Sequence, residues 1–231
     1  MKLTLAQPLD RSEVCRRLGC GPAAPDERTQ RQIDACEAEL LAAAEPRGVF
    51  RRLALRWDGG TPLVADAGWR LEGQDIALHL ARCHSVLLLA VTLGVGVDRL
   101  LQRAGAGDLF RAVALDAVAS AAAEAAAEAG EREAVRLCRD GEFHTGRFSP
   151  GYGDLPIAGQ RELLALLDAP RSIGLTATRD ALLVPRKSVT ALIGVADVPV
   201  RGRLAGCGNC RLREKCEYRK RGTTCEQPDA K

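Results

Sequence analysis

An alanine-rich run between residues 111 and 137 constrains the fold of this chain more than any other segment. Alanine is the strongest helix former, and its single methyl group lets a helix lie close to its neighbours. The run predicts one long, closely packed helix. Asp116, Ser120, Glu124 and Glu128 recur every four residues and form one polar stripe along that helix. A solvated helix face is the ordinary explanation of such a stripe, and a row of binding residues is the alternative.

The rest of the chain intersperses helical and strand patterns. Further helical or amphipathic segments are predicted over residues 10–18, 26–44, 75–80, 97–103 and 160–167. Strands are predicted over residues 48–57, 63–64, 69–71 and 86–91, and in an apolar segment that ends at Val195. These segments lack the regular alternation of a doubly wound fold. They predict an α+β fold with a mixed or antiparallel twisted sheet and flanking helices.

Composition limits the classes of function. The 231 residues are 46% hydrophobic and 27% charged, as in a soluble globular domain. No apolar run reaches the roughly 18 residues of a membrane span, and the first residues lack the apolar core of a signal peptide. We therefore expect a cytoplasmic protein without a membrane partner. A net charge of +3 and only 3% aromatic residues argue against a nucleic-acid partner.

Residues 147–152 have the composition of a small-ligand site. Arg147 precedes Ser149, Pro150, Gly151 and Tyr152. A guanidinium binds a carboxylate through two parallel hydrogen bonds, and Pro-Gly allows close approach of the backbone to a ligand. The segment therefore suits a small zwitterionic ligand. An ordinary Pro-Gly turn beside a solvent-facing arginine is the alternative.

The nine cysteines fall into two groups. Five are scattered through helical or apolar patterns, and we expect them to be small buried hydrophobic residues: Cys15, Cys20, Cys36, Cys83 and Cys138. The other four lie in a basic tail, residues 204–231, which follows a main domain of residues 1–203. Their spacing suits zinc or an iron–sulfur cluster, with free thiols or redox-active disulfides as alternatives: Cys207, Cys210, Cys216 and Cys225. The three histidines make no recognisable metal-binding pair.

The order of segments from residue 141 to residue 195 resembles the activation domain of cobalamin-dependent methionine synthase, in its free-standing single-domain form. The matching segments are R-x-x-x-G-Y at residues 147–152, the helical run after it, Leu-Asp and Ile-Gly-Leu-Thr within residues 167–176, and P-x-x-S-V at residues 185–189. The cysteine-rich end is also similar, with Cys-x-Tyr-Arg at residues 216–219.

The resemblance implies an activation-domain-like fold and a set of ligand contacts. Arg147 is expected to bind the carboxylate of S-adenosylmethionine, and residues 148–151 to line the ligand. Tyr152 is expected near an incoming corrin, and Glu124 at the ligand's ammonium group. Lys187, in the P-x-x-S-V segment, adds positive charge beside the same cleft. The family also has an aspartate on the ligand's amino group, for which Asp66 and Asp75 are candidates.

The implied function is a subunit that supports reductive methylation of cob(II)alamin on a separate methionine synthase. Its partners are then a cobalamin-binding protein and a one-electron donor such as flavodoxin or ferredoxin. The chain contributes to a methyltransferase activity, and no catalytic acid, base or nucleophile is assigned to it. One alternative is a reactivation or electron-delivery factor for another corrinoid methyltransferase. Another is a non-enzymatic binding module with a zinc-clipped basic tail.

Overall fold

A six-stranded sheet with helices on both faces forms the centre of the computed structural model, which describes residues 1–20, 25–200, 202 and 214. The helices are α1 (Arg11–Leu18), α2 (Glu27–Ala43), α3 (Gln74–His79), α4 (Val95–Gly105), α5 (Leu109–Val135), α6 (Gly159–Leu166) and α7 (Ala169–Ile173). The strands are β1 (Arg47–Asp58), β2 (Thr61–Val64), β3 (Trp69–Arg70), β4 (Ser85–Thr92), β5 (Phe143–His144), β6 (Thr176–Ala177), β7 (Leu183–Val184) and β8 (Ser188–Ala196).

The large sheet has the strand order β3-β2-β1-β4-β8-β5, and all of its pairings are antiparallel. Strands β6 and β7 form a separate two-stranded sheet. The α+β fold with an antiparallel sheet and flanking helices is therefore confirmed.

Strand β4 is buried on both faces, which explains its continuous apolar sequence. Leu89 and Val91 face the layer of α1, α2, α4 and α5. Leu88 and Ala90 face the opposite layer, which contains α3, α6 and α7. Because side chains alternate along a strand, each face of β4 supplies one of the two main hydrophobic cores.

Local capping fixes the helix ends that the sequence predicts. The Asp10 carboxylate accepts a hydrogen bond of 2.9 Å from Ser12 N at the start of α1, and Gly19 ends that helix in the left-handed region. Asp26 caps α2 through a 2.7 Å hydrogen bond from Thr29 N. The alanine-rich helix α5 lies against the sheet, with most of its alanines buried.

The prediction that the scattered cysteines are buried holds for two of the five. Cys36 and Cys83 are buried thiols, and burial raises the pKa of Cys83 to about 11. The other three are partly exposed. Cys15 lies within the short helix α1, Cys20 follows that helix, and Cys138 follows α5 at the edge of a small hydrophobic cluster. Among the described residues, no helix has both the length and the hydrophobicity needed to cross a membrane.

Candidate functional site

Arg147 lies on an irregular continuation of the edge strand β5. Thr145 N donates to Gly194 O at 2.9 Å, and Phe148 and Leu192 exchange backbone hydrogen bonds of 2.9 and 2.7 Å. The side chain of Phe148 belongs to the core on the α6 and α7 side. Because neighbouring side chains on a strand point to opposite faces, Arg147 points towards α5.

Two glutamates of α5 hold the Arg147 guanidinium. Its Nη2 donates to Glu124 Oε1, and its Nε lies 2.9 Å from Glu131 Oε2. The arginine side chain is only 20% exposed. Burial lowers the pKa of Arg147, but the hydrogen bond with Glu124 and the charges of Glu124, Glu131 and Glu128 outweigh burial and raise that pKa. The cation is therefore permanent, and it sits among more carboxylates than it can neutralise.

The guanidinium keeps donors that these two ion pairs do not use. A guanidinium has five N–H groups, and the contacts to Glu124 and Glu131 use one at Nη2 and one at Nε. Within the described part of the chain, Arg147 Nη1 makes no hydrogen bond or ion pair. Arg147 can therefore bind an additional carboxylate without first releasing either glutamate.

The predicted turn lies directly after Arg147. Tyr152 N donates to Ser149 O at 3.0 Å, with Pro150 and Gly151 at the two central positions. Gly151 has a φ of 92°, as the third position of a type II turn requires. Tyr152 is 54% exposed, and its ring meets the edge of Phe148 at a centroid distance of 6.2 Å. The turn thus presents glycine backbone and one aromatic face to solvent.

Helix α3 supports this turn from the side. The Asp154 carboxylate accepts hydrogen bonds from Gln74 N at 2.6 Å and from Asp75 N at 3.0 Å, so it caps α3. A Cβ atom on Gly153 would lie 2.3 Å from Asp75 Oδ2. Of the two candidate aspartates, Asp75 therefore lies beside the turn, whereas Asp66 lies in the loop between β2 and β3.

The polar stripe of α5 has partners on the protein as well as solvent. Lys187 Nζ lies 2.9 Å from Asp116 Oδ1 and donates to Ser120 Oγ at 2.7 Å. Lys187 and Arg147 thus contact successive parts of the same face of α5. A shallow groove of about 470 Å³ runs past Asp116 and Ser120 towards α1, and its lining does not include Arg147.

Two residues around Arg147, Glu131 and His79, were not predicted from the sequence as site residues. Glu131 continues the stripe three residues beyond Glu128, so extending the stripe with a step of three would have found it. His79 is 1% exposed, and its Nε2 lies 3.0 Å from Gly146 O and 2.9 Å from Thr145 Oγ1. Its ring also contacts Phe148, so His79 braces the segment that carries Arg147. No local pattern signals that long-range contact.

The predicted metal ligands Cys207, Cys210, Cys216 and Cys225 lie outside the described residues. So do the 203/204 domain boundary and most of the basic tail. The zinc or iron–sulfur assignment and the division into a main domain and a tail therefore remain predictions.

Comparison with known proteins supports the fold. No protein-family model matches the chain, and a search of curated proteins finds no match. Among solved structures, the chain is similar to the crystal structure of the MetH reactivation domain bound to AdoHcy, with a TM-score of 0.59. The two are 16% identical, and the match covers 95% of this chain and 83% of that one. At this identity the similarity establishes a shared fold.

Proposed function

We propose that this chain binds S-adenosylmethionine at Arg147 and the turn of residues 149–152, and that it supports reductive methylation of cob(II)alamin on a separate cobalamin-dependent methionine synthase. The observation that carries the proposal is the largely buried Arg147 guanidinium, held between Glu124 and Glu131 beside a glycine turn. The shared fold with a reactivation domain bound to AdoHcy adds support.

The charges around Arg147 complement the amino-acid part of the ligand. The ligand's carboxylate binds at the Nη1 side of the guanidinium, where the protein supplies no partner among the described residues. Its ammonium group binds to a carboxylate of α5, and Glu124 is the more accessible, with 40% of its side chain exposed against 23% for Glu131. Both ends of a zwitterion are thereby recognised within one cluster.

The excess negative charge of the site also favours the methylated form of the ligand. Glu124 and Glu131 pair with the single guanidinium of Arg147, and Glu128 adds a third negative charge nearby, so these four side chains carry a net negative charge. S-adenosylmethionine has a positive sulfonium, whereas the product AdoHcy has a neutral thioether. Coulomb attraction therefore favours the substrate over the product. Raising the ionic strength should reduce this preference.

The chain's own task in this reaction is to position the ligand. When bound, S-adenosylmethionine supplies a methyl group: its C–S bond breaks with the electron pair left on sulfur, and the methyl group goes to cobalt already reduced by a one-electron donor. Arg147 and the α5 carboxylates fix one end of the ligand, while the turn holds its neighbouring part. The exposed ring of Tyr152 is available to contact the corrin of a partner.

The test is calorimetric titration of the anaerobically purified protein with S-adenosylmethionine. We expect saturable binding by the wild type and about 100-fold weaker binding by Arg147→Ala, equivalent to about 2.7 kcal/mol. Arg161→Ala is the matched control, because Arg161 is an exposed arginine on α6 whose loss changes the net charge equally. It should bind like the wild type.

Two results would contradict the proposal. One is the absence of binding by the wild type even with cob(II)alamin or a corrinoid protein present. The other is an Arg147→Ala variant that binds as tightly as Arg161→Ala does. Circular dichroism of each variant should first show an unchanged fold, so that any lost affinity reports on the site.

A further inference from the structure

Three side chains of the types that bind metal ions in proteins meet at one end of the large sheet. His84 directly precedes β4, Glu142 directly precedes β5, and Asp197 directly follows β8. Because β4 and β5 both pair antiparallel with β8, their first residues lie beside the last residues of β8. One nitrogen or oxygen atom from each of the three side chains lies within 4.8 Å of the other two.

The imidazole of His84 points between the two carboxylates. Its Nε2 lies 3.3 Å from Asp197 Oδ1 and 3.6 Å from Glu142 Oε1. This nitrogen is buried, yet within the described part of the chain it makes no hydrogen bond. A buried ring nitrogen normally has a hydrogen-bond partner. An atom located between the three groups would satisfy all of them together.

Glu142 retains one oxygen lone pair with which it could bind an atom between the three groups. Its Oε2 accepts hydrogen bonds from Arg52 Nη1 at 2.7 Å and from Arg139 N at 2.6 Å. Its Oε1 accepts one hydrogen bond, from Arg52 Nη2 at 2.6 Å. Since each carboxylate oxygen has two lone pairs, Oε1 keeps one, and Oε1 is the oxygen beside His84. The Arg52 and Arg139 hydrogen bonds also fix the orientation of the Glu142 carboxylate.

We propose that His84, Glu142 and Asp197 bind a divalent transition-metal ion, with Zn²⁺ the best fit. Zinc bonds to nitrogen and oxygen are about 2.0–2.2 Å, so neighbouring ligands of a tetrahedral ion are about 3.3–3.6 Å apart. The separations from His84 Nε2 to the two oxygens match that spacing. One imidazole with two carboxylates is a donor set that zinc accepts, and water can complete the tetrahedron because the Asp197 side chain is 79% exposed.

Such a site has a structural role distinct from the ligand turn. It connects the end of β8 to the beginnings of β4 and β5, at the point from which the chain continues towards the cysteine-rich segment. Arg52 acts as an outer partner, because it orients Glu142 while bonding to Ser85 Oγ and Leu137 O. The proposal needs no metal in the tail.

The test uses the full chain with Cys207, Cys210, Cys216 and Cys225 replaced by serine, so that the tail cannot bind zinc. Zn²⁺ affinity is measured by competition with a chromophoric chelator, and the rings of the three histidines are followed by two-dimensional NMR. We expect a dissociation constant below about 100 μM and a Zn²⁺-dependent shift of the His84 resonances alone. His84→Gln and Asp197→Asn should each weaken binding about tenfold or more.

His144→Gln is the matched control, because His144 is an exposed histidine on β5 outside the cluster. It should leave Zn²⁺ affinity unchanged. Asp197→Asn guards against a folding artefact, since an exposed side chain can be changed without disturbing the core. A dissociation constant above about 100 μM, or equal affinity in His84→Gln and His144→Gln, would overturn the proposal.

Discussion

Asp154 connects the candidate ligand turn to a distant helix through one carboxylate. Both of its side-chain oxygens accept backbone N–H groups at the start of α3, a helix whose own N-cap residue is Gly73 and supplies no side chain. A capping carboxylate satisfies free N–H groups and interacts favourably with the positive end of the helix dipole. The cap therefore stabilises α3 and fixes the residues that follow Tyr152.

Asp154→Ala should lower the free energy of unfolding by about 1 kcal/mol, the usual loss when a helix cap is removed. It should also weaken S-adenosylmethionine binding, because the turn loses its anchor. Urea denaturation and calorimetry measure the two effects. Asp140→Ala removes an equally charged, exposed aspartate and should change neither. Equal stability of the two variants would show that the cap contributes nothing.

At the residue scale the sequence singled out Arg147 and Glu124 as ligand contacts. The structure brings them together as an ion pair, and their contacts with a ligand remain a prediction. The sequence did not identify Asp154 as a cap, because the donors belong to residues 74 and 75, far away in the chain. Arg52 and Glu142 were missed for the same reason. Patterns within a helix or a turn report local neighbours, whereas these contacts exist only after the sheet has formed.

Helix α5 packs closely on the sheet at Gly130. A Cβ atom there would lie 2.7 Å from Val91 Cγ1 and 3.0 Å from Leu89 Cδ1. Both of those side chains are fully buried on β4, so neither can move into solvent. A glycine inside a helix costs about 1 kcal/mol relative to alanine. At position 130, close packing against β4 accounts for the glycine.

Gly130→Ala should therefore destabilise the protein by about 1 kcal/mol net, since the overlap with Val91 and Leu89 exceeds the gain in helix propensity. Gly105→Ala is the control, because Gly105 ends α4 and a Cβ atom there would meet nothing within 4 Å. It should be neutral or stabilise by up to about 1 kcal/mol. Thermal and urea unfolding distinguish the two. A stabilised Gly130→Ala variant would refute close packing at this crossing.

The elements themselves were largely predictable, whereas their arrangement was not. The apolar run of β4, the alternation in β1 and the alanine content of α5 each reflect a local period, so these and the other longer elements were placed within a few residues of their observed ends. The short elements α7, β5, β6 and β7 were not predicted. Local periods do not determine the order of strands in a sheet. Several apolar strands could pair with β4, and its pairing with β8 depends on packing across the whole domain.

On the scale of the whole molecule, the described residues before the tail form two hydrophobic cores between them. The core residues and the hydrophobic residues packed against them run from Leu3 to Val200. We therefore expect a chain that ends at residue 203 to fold and to keep the ligand site. The reason is that these residues bury the apolar area described above, and burial of apolar area is the main favourable contribution to folding.

Deleting residues 204–231 should leave stabilisation by S-adenosylmethionine intact. At a ligand concentration of about 100 times the dissociation constant, binding adds about 2.7 kcal/mol to the free energy of unfolding. For a domain of this size, that raises the melting temperature by about 5–10 °C. Differential scanning calorimetry should show the same shift with and without the tail, and none in Arg147→Ala. If the ligand does not raise the melting temperature of the truncated chain, the tail is part of the ligand site.

The strand order has a consequence for synthesis on the ribosome. Strand β4 can pair early with β1 on one side, because β1 precedes it closely in the chain. Its other edge pairs with β8, whose residues emerge only after α4, α5, α6 and α7 have been made. Until then an apolar strand has an open edge, the kind of surface on which unfinished chains aggregate. We therefore expect slow completion of the sheet and a dependence on chaperones during translation.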